Sequence, residues 1–171
     1  KLRVEGGHAI PRMADLFDAF PNAKFNIDAK AWPVVEPLCD LVQQMQTHER
    51  ICIGSFSDGR IEKIVRRLGK VCHSLGPKGA LRFRTAALVG RRVSFTAGAA
   101  QLPVRQAGVP MVTKASVAYA HKCGLQVHVW TINCESTMHK LLDMGVDGVM
   151  TDDCALLKKV LVARNLWGAG H

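Results

Sequence analysis

The sequence predicts an α/β fold of repeated strand–helix units on a parallel sheet. Strand-like and helix-like stretches alternate along its 171 residues, which is the signature of βα units. No linker-like or low-complexity stretch interrupts that alternation, and the composition, 48% hydrophobic and 22% charged, suits a single soluble domain over residues 1–171 with a real core. A complete (βα)8 barrel takes ~250 residues, so about six units here fall short by roughly 80 residues, or about two units. On pattern alone, an open doubly wound sheet also accommodates six strands.

The elements follow in order. Met13, Leu16, Phe17 and Phe20 share one face of a short helix. Phe25 to Lys30 reads as a strand, with Phe25, Ile27 and Ala29 on one side and Asn26, Asp28 and Lys30 on the other. Val34, Leu38, Leu41, Val42 and Met45 mark an amphipathic helix, with Pro33 suited to its start. Ile51 to Phe56 is the next strand. Ile61, Ile64, Val65 and Leu68 form the stripe of the helix after it, and Gly69 can end that helix. Val71 to Leu75 reads as a further strand.

Residues 77–98 mix Gly, Lys, Arg and Ala with no clean period. One or two short strands are expected within Ala99 to Val112, then a helix from Lys114 to Cys123 stopped by Gly124. Gln126 to Ile132 is the clearest strand of the chain, with Gln126, His128, Trp130 and Ile132 on one face and Val127 and Val129 on the other. Asn133 suits the N-cap of a helix through Met138, Leu141 and Leu142. Gly148 to Asp152 is the last strand, and Leu156, Val160 and Ala163 line the final helix.

The formal charge of +9 is concentrated in one segment. Ten basic residues lie between Arg60 and Arg92, among them Arg66, Arg67, Arg91 and Arg92, and Glu62 is the only acid there. The remainder of the chain is balanced. Such a segment suits an anionic membrane surface, a nucleic acid or a phosphorylated substrate, or is an ordinary solvated face. The six cysteines, Cys39, Cys52, Cys72, Cys123, Cys134 and Cys154, form no CxxC pair. They read as buried, reduced thiols of a cytoplasmic protein. No secretory signal pattern is present, and the apolar runs are far shorter than the ~20 residues of a membrane span.

Chemistry points first to Asp28 and Lys30. In a barrel the outward strand face packs on helices, while inward side chains near the C-terminal strand ends form the active site. A carboxylate and an ammonium two positions apart on that face need each other or a ligand. They are either a structural ion pair or a metal-binding carboxylate beside a phosphate-binding lysine. Trp130, near the end of its strand, would wall a pocket. His128 reads as a hydrogen-bonded core residue, and His8, His48, His121, His139 and His171 show no metal-ligand spacing. There is no GxSxG elbow, no GxGxxG after the first strand and no GxxxxGK[ST].

Four segments in this order, Phe25-Asn26-Ile27-Asp28-Ala29-Lys30, Gly54-Ser55-Phe56-Ser57, Val127-His128-Val129-Trp130-Thr131-Ile132-Asn133 and Gly145-Val146-Asp147-Gly148-Val149-Met150-Thr151-Asp152, carry a resemblance. The chain resembles the glycerophosphodiester phosphodiesterase family from Ile10-Pro11 to the final helix. The resemblance implies a TIM-type (βα)8 barrel, here incomplete, with about six βα units and the first two strands missing. It implies metal-dependent hydrolysis of glycerophosphodiesters to glycerol 3-phosphate and an alcohol. A divalent cation, Ca²⁺ or Mg²⁺, would be held by carboxylates, and two histidines would move protons. Asp28 matches the family's metal ligand, Lys30 the lysine beside it, and Trp130 the aromatic wall.

Two departures qualify the match. The family usually has Glu where Asp28 stands, so this carboxylate is one methylene, about 1.5 Å, shorter. The family's opening His-Arg-Gly and Glu-Asn-Thr motifs, its later metal-binding carboxylates and its Asp-His pair have no counterpart here. No catalytic residue is therefore assigned in this chain. By itself it is expected to be inactive, to hold a cation weakly or not at all, and to self-associate through open sheet edges. The rival reading is a non-catalytic binding protein that uses the basic segment to hold anionic lipid or, less in keeping with the rest of the chain, nucleic acid.

Overall fold

The computed structural model describes Gly7 and residues 9–168, and the chain divides into two compact units, Lys1–Cys72 and His73–His171. The first unit contains helix α1 (Met13–Ala19), strand β1 (Phe25–Asp28), helix α2 (Val35–Gln44), strand β2 (Ile51–Gly54) and helix α3 (Asp58–Leu68), in that order. Strands β1 and β2 run parallel, with Phe25 opposite Ile51 and Asp28 opposite Gly54. The predicted alternation of β1 holds. Ile27 and Ala29 are buried with Phe17, Val35, Leu38, Val42, Ile53 and Ile64, whereas Asn26 and Lys30 are exposed. A short 3-10 turn, Trp32–Val34, leads into α2 with Pro33 near its start. The Ser57 side chain caps α3 by accepting from the Arg60 N–H at 3.4 Å. Gly69 ends the helix with φ 72°, a conformation costly for any residue with a Cβ.

Strand β3 (Cys72–His73) stands next to β2 in the strand order, and the division between the units falls inside it. The second unit continues with α4 (Pro77–Val89), β4 (Ala99–Pro103), β5 (Arg105–Gln106), β6 (Val109–Pro110), α5 (Lys114–Lys122), β7 (Gln126–Trp130), α6 (Glu135–Asp143), β8 (Gly148–Val149) and α7 (Cys154–Ala163). Strands β4, β7 and β8 are neighbours in that order and parallel, and Ser74 makes a parallel bridge to Ala99. Strands β5 and β6 are an antiparallel ribbon, closed by Ala107 and Gly108 with φ of 48° and 78°, the left-handed pair that a two-residue hairpin requires. The core gathers Val127 and Val129 of β7, Ala100 and Leu102 of β4, and Phe83, Val117, Met138, Leu141 and Val160 from the four helices.

The order of elements gives six strands each followed by a helix, as the alternation predicts, and among the described residues β1 and β8 stand at the ends of their strand orders. Several boundaries move. The strands expected at Phe25–Lys30, Ile51–Phe56, Val71–Leu75, Gln126–Ile132 and Gly148–Asp152 are shorter, because the chain leaves each ladder at its C-terminal end to form a loop and joins β3 only at Cys72. Ile132 accordingly does not share the His128 and Trp130 face; it is buried in the core with Val127 and Val129. The segment without a clean period contains a thirteen-residue helix, α4.

The cysteines are all free thiols, but only Cys39 is buried; Cys72, Cys134 and Cys154 are exposed. Among the described residues, no helix is long and apolar enough to cross a membrane. Arg66, Arg67, Arg91 and Arg92 are exposed as expected, yet they differ in surroundings. Arg67 donates to Glu36 and Asp40, each at 2.5 Å, and Lys63 pairs with Glu36 at 3.1 Å, so α3 is tied to α2.

Candidate functional site at the C-terminal strand ends

In the first unit the site is built at the C-terminal end of β1. Asp28 closes the strand, and its Oδ2 accepts from Lys30 Nζ at 2.5 Å. The ammonium is well exposed, while the carboxylate is about one-third exposed. Asp28 Oδ1 is buried and has no hydrogen-bond partner. A buried carboxylate oxygen left without a donor costs free energy, and this atom has the chemistry to accept from a donor or to coordinate a hard cation. Lys30 Nζ also lies 5.7 Å from the centre of the exposed Phe56 ring, within cation–π range.

The loop after β2 holds this end in place. Ala29 N–H donates to Gly54 O at 2.9 Å. Ser55 Oγ donates to Ala29 O at 2.7 Å and accepts from Arg60 Nε at 2.9 Å. The Gly54-Ser55-Phe56-Ser57 segment thus anchors the backbone between Asp28 and Lys30, caps α3 through Ser57 and sets Phe56 beside the lysine. In the sequence Arg60 stands out only as the first residue of the basic segment. Nothing in a five-residue spacing from Ser55 signals that its guanidinium steadies the loop.

In the second unit Trp130 is half-buried at the C-terminal end of β7. Asn133 is not the N-cap of α6: that position is Cys134. Instead Asn133 Oδ1 accepts from Thr151 Oγ1 at 2.9 Å and from Asp152 N–H at 3.0 Å, and its Nδ2 donates to Asp152 Oδ2 at 2.9 Å. The amide thereby clamps the loop after β7 to the loop after β8. This reach across two loops outcompetes the local cap because it satisfies both ends of the amide at once.

The histidines have structural surroundings. His121 Nε2 lies 2.8 Å from Asp147 Oδ2, which also accepts from Val127 N–H at 2.7 Å. Asp147 therefore ties the start of β7 to the approach of β8. His139 lies 3.3 Å from an Arg164 guanidinium nitrogen, and His73 Nδ1 is 3.2 Å from Ser74 O. His128 is half-buried, and burial holds its pKa below the ordinary value, opposed by the charge of Asp147. His8 and His171 lie outside the described residues. Among the described residues, no cluster of three or more His, Cys, Asp or Glu side chains is arranged to hold a metal ion. Asp28 fits as one ligand of a hard cation by its oxygen chemistry, and the fit extends to a single carboxylate.

Residues 3–156 match the glycerophosphoryl diester phosphodiesterase family. The chain is 40% identical over 173 residues to the probable glycerophosphodiester phosphodiesterase 2 of Mycobacterium tuberculosis, covering 98% of this chain and 66% of that protein. It is 23% identical to the lysophospholipase D GDPD1 of Rattus norvegicus, covering 89% of this chain and 56% of that one. The chain thus spans under two thirds of the length of these relatives. Among solved structures, a glycerophosphodiester phosphodiesterase homologue from Galdieria sulphuraria superposes with a TM-score of 0.72 at 25% identity, covering 95% of this chain and 68% of that one. One from Silicibacter pomeroyi gives 0.73 at 21% identity, with 94% and 59% covered. These likenesses assign the six βα units to the TIM-barrel fold, and the extent of the sequence match means that this chain belongs to the glycerophosphoryl diester phosphodiesterase family.

Proposed function

We propose that residues 1–171 belong to a single barrel domain of an enzyme that hydrolyses glycerophosphodiesters to glycerol 3-phosphate and an alcohol. In this reading Asp28 is one ligand of a divalent cation, Lys30 a phosphate contact and Trp130 part of the pocket wall. The observation that carries the proposal is the buried, unpartnered Asp28 Oδ1 beside the Lys30 ammonium. When bound, the cation would neutralise phosphate charge and activate the attacking oxygen. Lys30 is held by an ion pair whose ammonium is well exposed, worth only ~0–1 kcal/mol, and by the Phe56 ring, so its long side chain can turn from the carboxylate to an arriving phosphate. Ser55 and Arg60 fix the backbone that carries both groups. Trp130 stands at the strand end where barrels of this class carry their sites.

A hard cation takes ~6–8 oxygen ligands as Ca²⁺, or a near-octahedral set as Mg²⁺, and among the described residues Asp28 stands in no cluster of three or more His, Cys, Asp or Glu side chains that could complete such a set. The 171-residue chain alone is therefore expected to bind the ion weakly and to show no turnover. Fusing the corresponding N-terminal segment of a relative, or adding it in trans, should restore metal-dependent release of glycerol 3-phosphate. In that restored enzyme Asp28→Ala should abolish activity, and Lys30→Ala should lower kcat/KM. Robust turnover by the 171-residue chain, or full activity of the restored Asp28→Ala enzyme, would place the site elsewhere.

A further inference from the structure

Helix α4 presents an outer face made by Lys78, Leu81, Arg82, Thr85, Leu88 and Val89, all exposed and spaced on one side of the helix. Phe83 and Ala86 are buried on the opposite side. Leu81 and Leu88 are each 66% exposed and Val89 is 74% exposed. A helix in a folded domain ordinarily turns a polar face to water. Here the outer face keeps an apolar ridge, and adjacent exposed apolar groups flanked by charge mark an interaction surface.

The turn after α4 brings more charge to that ridge. Gly90 ends the helix in the left-handed conformation, φ 67°, and the chain doubles back so that Arg91 N–H donates to Ala86 O at 3.1 Å. Tyr119 Oη of α5 pins the turn by donating to Arg91 O at 2.6 Å. As a result Arg82, Arg91 and Arg92 line one cleft of about 550 Å³ together with Thr85, Val89 and Ser94. Arg82 lies over the Phe95 ring at 5.4 Å, which holds its guanidinium in place. No carboxylate forms an ion pair with these three arginines among the described residues, and no Asp or Glu occurs in the sequence between Glu62 and Glu135. This sets them apart from Arg67, which two carboxylates neutralise.

We propose that this face of α4 and the turn after it dock on an anionic phospholipid bilayer, with Arg82, Arg91 and Arg92 holding headgroup phosphates and Leu81, Leu88 and Val89 entering the interface. Guanidinium groups suit phosphate by geometry as well as charge. An apolar ridge beside uncompensated cations is the chemistry of an interfacial helix rather than of a purely electrostatic site. The chain from the end of α4 leads to the start of β4, so the turn that carries Arg91 and Arg92 lies toward the N-terminal end of β4, away from the strand end that carries Trp130.

The test is flotation of the 171-residue chain with vesicles of phosphatidylcholine, with and without phosphatidylglycerol. The chain should float only with the anionic vesicles, and less as salt rises. Each charge removed from the cleft should lower partitioning about five-fold, so Arg91→Gln/Arg92→Gln should lose on the order of twenty-five-fold. Leu81→Ser/Leu88→Ser should weaken partitioning while leaving the charge unchanged, and Arg66→Gln on α3 should leave it unchanged. These substitutions are at exposed positions, and far-ultraviolet circular dichroism with a thermal melt confirms that the fold is retained. Equal flotation with neutral vesicles, or an Arg66→Gln loss as large as that of Arg91→Gln/Arg92→Gln, would overturn the proposal. So would displacement by millimolar inorganic phosphate, which would make the cleft a site for a soluble phosphate. If Leu81→Ser/Leu88→Ser leaves flotation untouched but converts a dimer to a monomer, the ridge is covered by a second copy of the chain and the proposal falls.

Discussion

A Cβ built on Gly148 would stand 2.8 Å from His128 Cδ2, across the paired strands β7 and β8. The glycine leaves the space that the imidazole fills. Gly148→Ala must displace His128 or part the strands, and overpacking of this kind costs about 1–3 kcal/mol. Urea denaturation should show that loss, and the same substitution in a His128→Ala background should cost clearly less.

The same histidine sets a pH dependence. Burial disfavours its charged form and lowers its pKa from 6.5. Above pH 6.5 the ring is neutral folded and unfolded, and its contribution is fully present. As pH falls below 6.5 the unfolded chain takes up the proton first, so stability declines until the folded pKa is passed. Denaturation midpoints measured from pH 7.5 downward should fall more steeply for the wild type than for His128→Gln. Parallel curves would show that His128 does not contribute.

Removing the clamp at Asn133 should loosen the loops after β7 and β8 together. Asn133→Ala deletes three hydrogen bonds to Thr151 and Asp152, and the expected loss is about 1–3 kcal/mol. Hydrogen exchange should speed up at Asp152 and Asp153 as well as next to the mutated position. Protection retained at Asp152 would contradict the clamp.

Two thiols should react ahead of the others. The hydrogen bond from Cys52 holds the exposed Cys72 thiol down to about 7, and the Ser136 hydroxyl holds Cys134 down to about 7. Burial pushes the Cys39 thiol up. Because the thiolate is the nucleophile, alkylation by iodoacetamide at pH 7, read by peptide mass spectrometry, should label Cys72 and Cys134 first, and Cys39 and Cys52, whose thiols are pushed up, last. Cys52→Ser should change the rate at Cys72 and leave Cys134 unaffected.

The sequence by itself determined the alternation of strands and helices, because period-2 and period-3.6 hydrophobicity are written locally wherever one face is buried and the other wet. It also placed Asp28 and Lys30 on the side of β1 away from the core, since Ile27 and Ala29 claim the other side. What it did not contain was the fate of groups whose partners are distant in the chain. Helix α4 has no legible period because its outer face carries Leu81, Leu88 and Val89, so the contrast that reveals a helix is missing. Asn133 has the residue type of a cap, and only the approach of Thr151 and Asp152 turns it into a clamp. Arg67 and Arg91 are equivalent in composition, yet folding brings Glu36 and Asp40 to one and an apolar ridge to the other. The isolation of Asp28 Oδ1 is likewise a tertiary fact, because burial and the lack of a donor depend on every element packed around an atom, whereas its charge depends on the residue alone.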